Sequence, residues 1–468
     1  MKSSPGILRQ LLRSPSTLSG LRPLRPLRPL RPLRRLHLLL CGMLIGAAPQ
    51  SPVAYPLDGA QASGINRLIG YQQAQLAAKG PRIAKGGLLG MADIHLNLAE
   101  QADAPMFDTR PMDARLLEAV ESIFADRDPS NGFVVVDMSQ PDAVVWAGVR
   151  PDVRQNPGSV GKLLPLVGLF DALARAFPDI EDRRRILRDT RVLGGDWVLL
   201  DEHVVPKFDP ETRINSFSIL QPEESYSLAE WVDHMTSASA NAAGSVVWRE
   251  AMLLRHFGNR YPVSEEESRA FFSTTPKGQL GALSQQVVNE PLAAAGIRLA
   301  DMQQGSMFTR AGKQYVPGIL SYATPRTLAQ FVFRMEQGRL VDAWSSLEMK
   351  RYLYVTKRRY RYAYAPELAE AALYFKSGSL YQCRPEEGYR CGKYMGNTKN
   401  FMNVVTIVEW PGTDTRYFIT LMSNVLKVNS AWDHAKLAVA IDEAVKTRAP
   451  VQVKEDGTAA EVNAAGQS

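Results

Sequence analysis

The sequence predicts an α+β fold, in which an antiparallel sheet is flanked by helices and accompanied by an all-helical subdomain. Apolar segments of strand length occur near both ends of the folded region, and segments with the 3.6-residue periodicity of helices fill the middle. Strands that are segregated from helices along a chain favour an antiparallel sheet, here built from both ends of the chain. The composition, with 45% hydrophobic and 22% charged residues among 468, is that of an ordinary globular protein.

The positive charge of the chain is concentrated in its first 40 residues. The formal net charge is +7, and this segment contributes nine Lys and Arg but no acid, so the rest of the chain is slightly acidic. The charge therefore gives no support for nucleic-acid binding, and we expect no nucleic-acid partner.

An apolar run from His37 to Ala48 follows this basic segment. It has the length of a signal-peptide core and is too short for a membrane-spanning helix. We expect residues 1–48 to be a signal peptide or N-terminal targeting segment, and the protein to be periplasmic or secreted. Any membrane association is then expected only through this segment. A disordered arm rich in Arg and Pro, and an uncleaved anchor, are the alternatives.

Three further regions follow this segment. Residues 49–105 begin with a stretch rich in Ala, Gly and Gln that lacks a long periodicity, which indicates a linker or N-terminal extension. Residues 106–448 are expected to form the folded domain. Residues 449–468 are polar and rich in Ala and Gly, which predicts a disordered tail.

The folded domain contains predicted elements of both kinds. Leu116, Leu117, Val120 and Ile123 have helical spacing, which predicts a helix within 111–126. Two apolar runs separated by Ser-Gln-Pro-Asp then predict a β-hairpin over 133–137 and 143–147. Further helices are predicted over 161–177, 226–236, 241–257, 283–295, 325–338 and 431–446, and further strands over 373–376, 404–408 and 417–421.

The first of three notable strings is Ser159-Val160-Gly161-Lys162, where the hairpin meets an apolar helix. If a helix begins at Ser159, both polar side chains share one face. An amine beside a hydroxyl can take its proton, provided that burial or a neighbouring charge keeps the amine neutral. The free N–H groups of a helix start can also stabilise developing negative charge. A chain of this composition contains such a string by chance, so alone it is not specific.

The second string, Ser239-Ala240-Asn241, lies between two predicted helices. A hydroxyl and an amide two residues apart on a tight loop can both face a cleft. Ser239 could relay a proton to a leaving group, and Asn241 could hold a substrate amide. On this string alone a helix-capping loop is the more common explanation, because Ser and Asn are frequent capping residues.

The third string, Lys376-Ser377-Gly378, ends a predicted strand. Lys376 offers a cation for a carboxylate, Ser377 adds a donor, and Gly378 permits close approach of a ligand. The N–H of Ser379 could complete an oxyanion hole with the N–H of Ser159. A solvated lysine at a strand end is the simpler alternative.

In this order the three strings match the S-x-x-K, S-x-N and K-[ST]-G set of serine β-lactamases and penicillin-binding proteins. The segment 324–329, Thr-Pro-Arg-Thr-Leu-Ala, resembles the T-P segment that opens a helix in class A β-lactamases. The chain resembles this superfamily over roughly residues 110–446. The resemblance implies an exported serine hydrolase that forms an acyl-enzyme on amide or ester bonds of D-alanyl peptidoglycan peptides or β-lactams.

The resemblance also implies a role for each motif residue. Ser159 is the expected nucleophile, Lys162 the base that accepts its proton, and Ser239 the group that assists the leaving group. The expected substrate-binding residues are Asn241, Lys376, Ser377, Gly378 and Ser379. A small molecule or a cell-wall peptide is the expected partner, and neither a cofactor nor a metal is expected.

Two departures from the family pattern concern release of the acyl group. Ala240 stands where the family usually has Asp, and the segment from Met302 to Ala323 contains no acid where class A β-lactamases carry a glutamate that activates water. Acylation of Ser159 is expected, but the sequence does not indicate how the intermediate is released. A catalytically weak cell-wall peptide-binding protein and an esterase on the same fold are therefore kept as alternatives.

Cys383 and Cys391 flank a polar turn that contains Pro and Gly. In an exported protein this arrangement predicts a structural disulfide. Too few further ligands lie nearby for a metal site, because the closest His is distant in sequence.

Overall fold

The computed structural model describes residues 56, 58–76, 83–356 and 359–448. The expected targeting segment 1–48 and the expected tail 449–468 lie outside the described residues. Within the described ranges there are nine strands: β1 (Gly132–Asp137), β2 (Val145–Val149), β3 (Arg191–Leu193), β4 (Val204–Asp209), β5 (Ile214–Ile219), β6 (Ser225–Ser227), β7 (Ala372–Gln382), β8 (Lys399–Glu409) and β9 (Arg416–Met422).

The α-helices of the same ranges alternate with short 3₁₀ turns. They are α1 (Gly59–Ser63), α2 (Arg67–Leu76), α3 (Ala114–Phe124), α4 (Leu163–Ala176), α5 (Ile180–Asp189), α6 (Leu228–Thr236), α7 (Asn241–Phe257), α8 (Glu265–Thr274), α9 (Lys277–Ala294), α10 (Arg310–Tyr315), α11 (Pro325–Glu336), α12 (Ala343–Tyr354) and α13 (Ala431–Thr447). None of these described helices is long and apolar enough to cross a membrane.

A five-stranded antiparallel sheet in the order β2-β1-β9-β8-β7 is the centre of the fold. Both of its faces are covered, so successive residues of β1 enter different hydrophobic cores. Val134 and Val136 pack into the larger core with α4, α7 and α11, while Phe133 and Val135 pack into a second core with α3 and α13. The α+β fold and the antiparallel sheet built from both chain ends are confirmed.

The helices α4, α6, α7 and α9 pack on one another beside the sheet and form the predicted helical part of the fold. Eleven consecutive residues of α4, from Leu163 to Leu173, are buried. A helix that is buried all round must have neighbours on every side, here α7 and α9. The first turn of α4 therefore has little freedom to move, and it follows directly after the string Ser159–Lys162.

The helix α11 begins where the Thr-Pro segment predicts. Thr324 is its N-cap, with its side chain accepting a hydrogen bond from the N–H of Thr327, and Pro325 occupies the first helical position. Proline is tolerated there because that N–H has no partner inside a helix. The T-P segment thus ends the acid-free stretch before it and anchors that stretch on the core.

The region 49–105, expected to be a linker or N-terminal extension, is not a linker over its described residues. Ile65, Leu68, Ile94 and Leu98 are buried in the larger core, so this segment belongs to the same folded unit as the sheet. The Ala, Gly and Gln content obscured the pattern because the buried residues are few and widely spaced. The domain boundary expected at residue 106 is therefore placed too late.

Several elements between the second hairpin strand and β7 have no counterpart in the sequence prediction. All six residues of β5 are exposed, so this strand lacks the alternation of polar and apolar residues that identifies half-buried strands. The helix α5 is mostly polar and buries only Arg183, Ile186 and Leu187. Cys383 and Cys391 form a disulfide in the connection between β7 and β8, as predicted.

A buried ion pair joins α2 to α6, one of the helices that pack beside the sheet. Arg67 of α2 donates two hydrogen bonds of 2.6 Å to the carboxylate of Asp233 on α6, and the two side chains are 2% and 1% exposed. Arg67 also donates to the backbone carbonyl of Val355. We predict that Arg67→Met lowers the free energy of unfolding by about 3–5 kcal/mol, because it leaves the Asp233 charge buried without its cation.

Urea denaturation followed by circular dichroism measures this effect. The control is Arg185→Met, since Arg185 forms an ion pair with Asp182 on the exposed face of α5. Exposed pairs contribute less than about 1 kcal/mol. Equal effects of the two substitutions would contradict the assignment of residues 58–76 to the core.

Candidate active site

The residues Gly158–Lys162 form a 3₁₀ turn that leads into α4. The α-helix thus begins at Leu163, four residues later than a helix start at Ser159 requires. The 3₁₀ geometry nevertheless suits the pair, because side chains three residues apart eclipse one another in it. The Nζ of Lys162 lies 2.8 Å from the Oγ of Ser159.

The Lys162 side chain is almost entirely buried, with 1% of it exposed. Burial lowers the pKa of its amine from 10.5 to about 7, although the negative charge of Asp201 acts in the opposite direction. Near neutral pH a large fraction of this amine is therefore unprotonated. A neutral amine has one lone pair, which can accept the Ser159 proton, while an N–H donates to Asn241 Oδ1 at 2.7 Å.

Glycine and an aromatic ring enclose the Lys162 side chain. A Cβ at Gly244 would lie 3.0 Å from Lys162 Cε and 2.8 Å from the ring of Phe308, so only glycine leaves room for both. The Phe308 ring centroid lies 4.5 Å from Lys162 Nζ. The backbone N–H groups of Phe308 and Thr309 both donate to the Ser245 hydroxyl on α7, which fixes this ring beside the amine.

The loop before α7 places Ser239 opposite Ser159. Ser239 has a φ of 62°, in the left-handed region that a serine rarely adopts. Such a conformation costs on the order of 1 kcal/mol and persists where its surroundings impose it. The Ser239 Oγ accepts a hydrogen bond of 2.7 Å from Lys376 Nζ on β7, which holds this hydroxyl at the site.

Lys376 lies behind this hydroxyl, with only 2% of the residue exposed, and also donates to the carbonyl of Ser377 at 2.9 Å. Burial, reinforced by the nearby charges of Lys162 and Arg361, holds the pKa of Lys376 well below its usual value. Lys376 therefore contacts the Ser239 hydroxyl directly. A carboxylate in the cavity would reach Ser377 first, with Lys376 behind it.

The strand β7 packs directly against the 3₁₀ turn that carries Ser159. A Cβ at Gly378 would lie 2.7 Å from the backbone nitrogens of both Ser159 and Val160, so this approach requires glycine. On the other side, a Cβ at Gly158 would lie 3.0 Å from the backbone nitrogen of Ser379. The backbone nitrogens of Ser159 and Ser379 thus both lie at the contact between β7 and this turn.

A cavity of about 590 Å³ opens in front of these groups. The sequence-predicted residues that line it are Ser159, Ser239, Asn241, Ser377, Gly378 and Ser379. Lys162 and Lys376 lie directly behind them, so all eight are brought together. The described lining residues include Lys313, Arg361 and Lys393 but no Asp or Glu, which favours an anionic ligand.

Sequence analysis missed two residues that join this site from the chain before β4. The Asp201 carboxylate accepts the N–H of Ala242 at 2.8 Å, at the start of α7 where the N-cap residue Ala240 has no side chain to offer. It also bonds to the ring of His203, which lines the cavity. Nothing in the local sequence marks this pair, because its partner on α7 is 41 residues away.

No family model and no curated protein matches this chain. Among solved structures it is similar to a β-lactamase from Sphaerobacter thermophilus, with 17% identity over 71% of this chain and 95% of that one and a TM-score of 0.43. It is also similar to a class A β-lactamase from Bacteroides cellulosilyticus, with 14% identity over 72% of this chain and 97% of that one and a TM-score of 0.47. It is similar as well to the structure of PBP-A, with 13% identity over 72% of this chain and 97% of that one and a TM-score of 0.43. At these identities the likeness concerns the fold alone.

The contact at Gly378 gives a prediction about packing. Gly378→Ala is expected to lower the free energy of unfolding by about 1–3 kcal/mol, because its methyl group forces β7 away from the turn that carries Ser159. The control is Gly278→Ala in α9, where an added Cβ meets nothing within 4 Å. Alanine there should be neutral, or stabilising by up to about 1 kcal/mol. Urea denaturation measures both variants, and a Gly378→Ala protein as stable as wild type would contradict the contact.

Proposed function

We propose that this protein is an exported serine hydrolase that cleaves amide or ester bonds through an acyl-enzyme on Ser159. The observation that carries the proposal is the 2.8 Å separation of Lys162 Nζ and Ser159 Oγ at an amine whose pKa is lowered to about 7. A nucleophilic hydroxyl needs a base within hydrogen-bond reach that is unprotonated at the working pH. The proposed export rests on the signal-like segment 1–48.

In the proposed reaction, Lys162 Nζ takes the proton of Ser159 while Oγ bonds to the substrate carbonyl carbon. The N–H groups of Ser159 and Ser379 stabilise the resulting oxyanion. The leaving group receives a proton through Ser239, whose hydroxyl is held by Lys376. Asn241 keeps Lys162 in place through its Oδ1 and presents its amide N–H₂ to the substrate.

D-alanyl peptidoglycan peptides and β-lactams are the proposed substrate classes. Both carry a carboxylate close to the reactive amide, and the cavity offers Ser377 with Lys376 behind it to bind that group. The absence of Asp and Glu among the described lining residues supports the same choice, because a carboxylate there would repel such substrates.

A second candidate is a cell-wall peptide-binding protein that turns over weakly. The observation that favours it is the apolar ring of Phe308 beside Lys162, in a loop without acids. This candidate requires that binding of a D-alanyl-D-alanine peptide be unchanged in Ser159→Ala and Lys162→Ala and that no covalent adduct form.

The nucleophile is tested with covalent probes. We predict that a fluorescent penicillin or a fluorophosphonate labels the wild-type protein once and that Ser159→Ala abolishes the adduct, because the hydroxyl of Ser159 lies within hydrogen-bond reach of the Lys162 amine, whose pKa is lowered to about 7. Intact-mass spectrometry measures the adduct. Ser273→Ala, on the exposed face of α8, is the matched control and should label normally. Labelling that survives Ser159→Ala, or an unlabelled wild type, overturns the proposal.

The base is tested through pH. Because only neutral Lys162 can accept the proton, the acylation rate should rise about tenfold per pH unit below 7 and level off above it. Lys162→Ala should lower this rate by about 100- to 10,000-fold and remove the rise, whereas Lys436→Ala, exposed on α13, should change neither. Stopped-flow measurements of probe labelling between pH 5 and 9 give the profile. A rate independent of pH across this range would exclude Lys162 as the base.

A further inference from the structure

A histidine and a buried aspartate form a hydrogen-bonded pair at the edge of the cavity. The Nδ1 of His203 lies 2.5 Å from Asp201 Oδ1, and the two side chains are 39% and 5% exposed. A carboxylate can only accept, so in the neutral imidazole the proton is on Nδ1 and the lone pair is on Nε2. The ring lines the cavity while its Nδ1 edge faces the buried aspartate, which leaves Nε2 as the nitrogen available to a molecule in the cavity.

The aspartate of this pair is fixed to the same loop that holds the proposed base. Its Oδ2 accepts the N–H of Ala242, next to Asn241, and its Oδ1 also accepts the backbone N–H of His203. Asn241 in turn accepts from Lys162. The imidazole is therefore held at a set position relative to Ser159 by a short series of hydrogen bonds.

Release of an acyl group from Ser159 requires a group that activates water, and the described lining of the cavity offers no carboxylate for it. No Asp or Glu lines the cavity within the part of the chain that the structure describes, and Phe308 covers one side of Lys162. Asn241 Oδ1 occupies a further position around the same amine. The imidazole of His203 lines the same cavity.

We propose that His203, oriented by Asp201, is the general base that activates the water which releases the acyl group from Ser159. The inference rests on the proposed function. Nε2 takes a proton from water as the water oxygen bonds to the acyl carbonyl carbon. The bond between that carbon and Ser159 Oγ then breaks, the imidazolium returns the proton to Oγ, and the carboxylic acid leaves.

Rapid-mixing kinetics with p-nitrophenyl acetate separate the two half-reactions. The burst of nitrophenol reports acylation, and the later steady rate reports release. His203→Ala should keep a burst near one per molecule and slow the steady rate about 100-fold, so that intact-mass spectrometry finds the acetylated protein. Free imidazole should restore release in His203→Ala, which a purely structural role of His203 would not produce. His95→Ala, an exposed histidine far from the cavity, is the control.

Two further variants keep the test independent of folding defects. His203→Gln fills the same space without a base and should slow release equally, with no rescue by imidazole. Asp201→Asn can still accept the Ala242 N–H, but its amide N–H₂ faces Nδ1 and imposes the wrong tautomer. It should slow release and keep the burst.

Release by His203→Ala within threefold of wild type, with a normal burst, overturns the inference and leaves the proposed acyl-enzyme intact. A wild-type protein that shows neither a burst nor an adduct with a fluorescent penicillin overturns both.

Discussion

The burial of the Lys162 amine is the constraint on which the site depends. Lowering its pKa from 10.5 to about 7 corresponds to a free-energy cost on the order of 5 kcal/mol for keeping the charged form in place. Such a cost is tolerable only inside a large, rigid core. The completely buried first turns of α4, packed between α7 and α9, supply that core directly behind the amine. The packing of these helices therefore favours the uncharged form of the Lys162 amine.

A second buried lysine lies close to the first. The charge of Lys162 adds to burial in holding the pKa of Lys376 well below its usual value, and neither amine is left without hydrogen-bond acceptors. Gly244 and Gly378 make this crowding possible, because a side chain at either position would enter space already occupied. The arrangement of the two lysines thus requires glycine at both positions.

The sequence predicted helices and strands where burial makes apolar residues repeat at a regular spacing. It did not predict them where few residues are buried. The strands β1, β2 and β9 and the helices α4 and α7 were predicted to within a few residues, because their apolar residues repeat at strand or helix spacing, whereas the predictions for β7 and β8 cover only part of each strand. The exposed strand β5 and the polar helix α5 carry no such signal. The motif residues were found from order and spacing, but Asp201 and His203 were not, since their contacts to α7 arise only in the folded chain.

The position of Asp201 also accounts for one departure from the family pattern. The second string has Ala240 where an acid is usual, and Ala240 cannot cap α7. Asp201 supplies the missing acceptor to the Ala242 N–H from a different loop. Once the carboxylate comes from that loop, its second oxygen is free to orient a neighbour, and His203 is the residue it orients. Asp201 therefore caps the helix and also orients an imidazole at the cavity, whose described lining residues include no Asp or Glu.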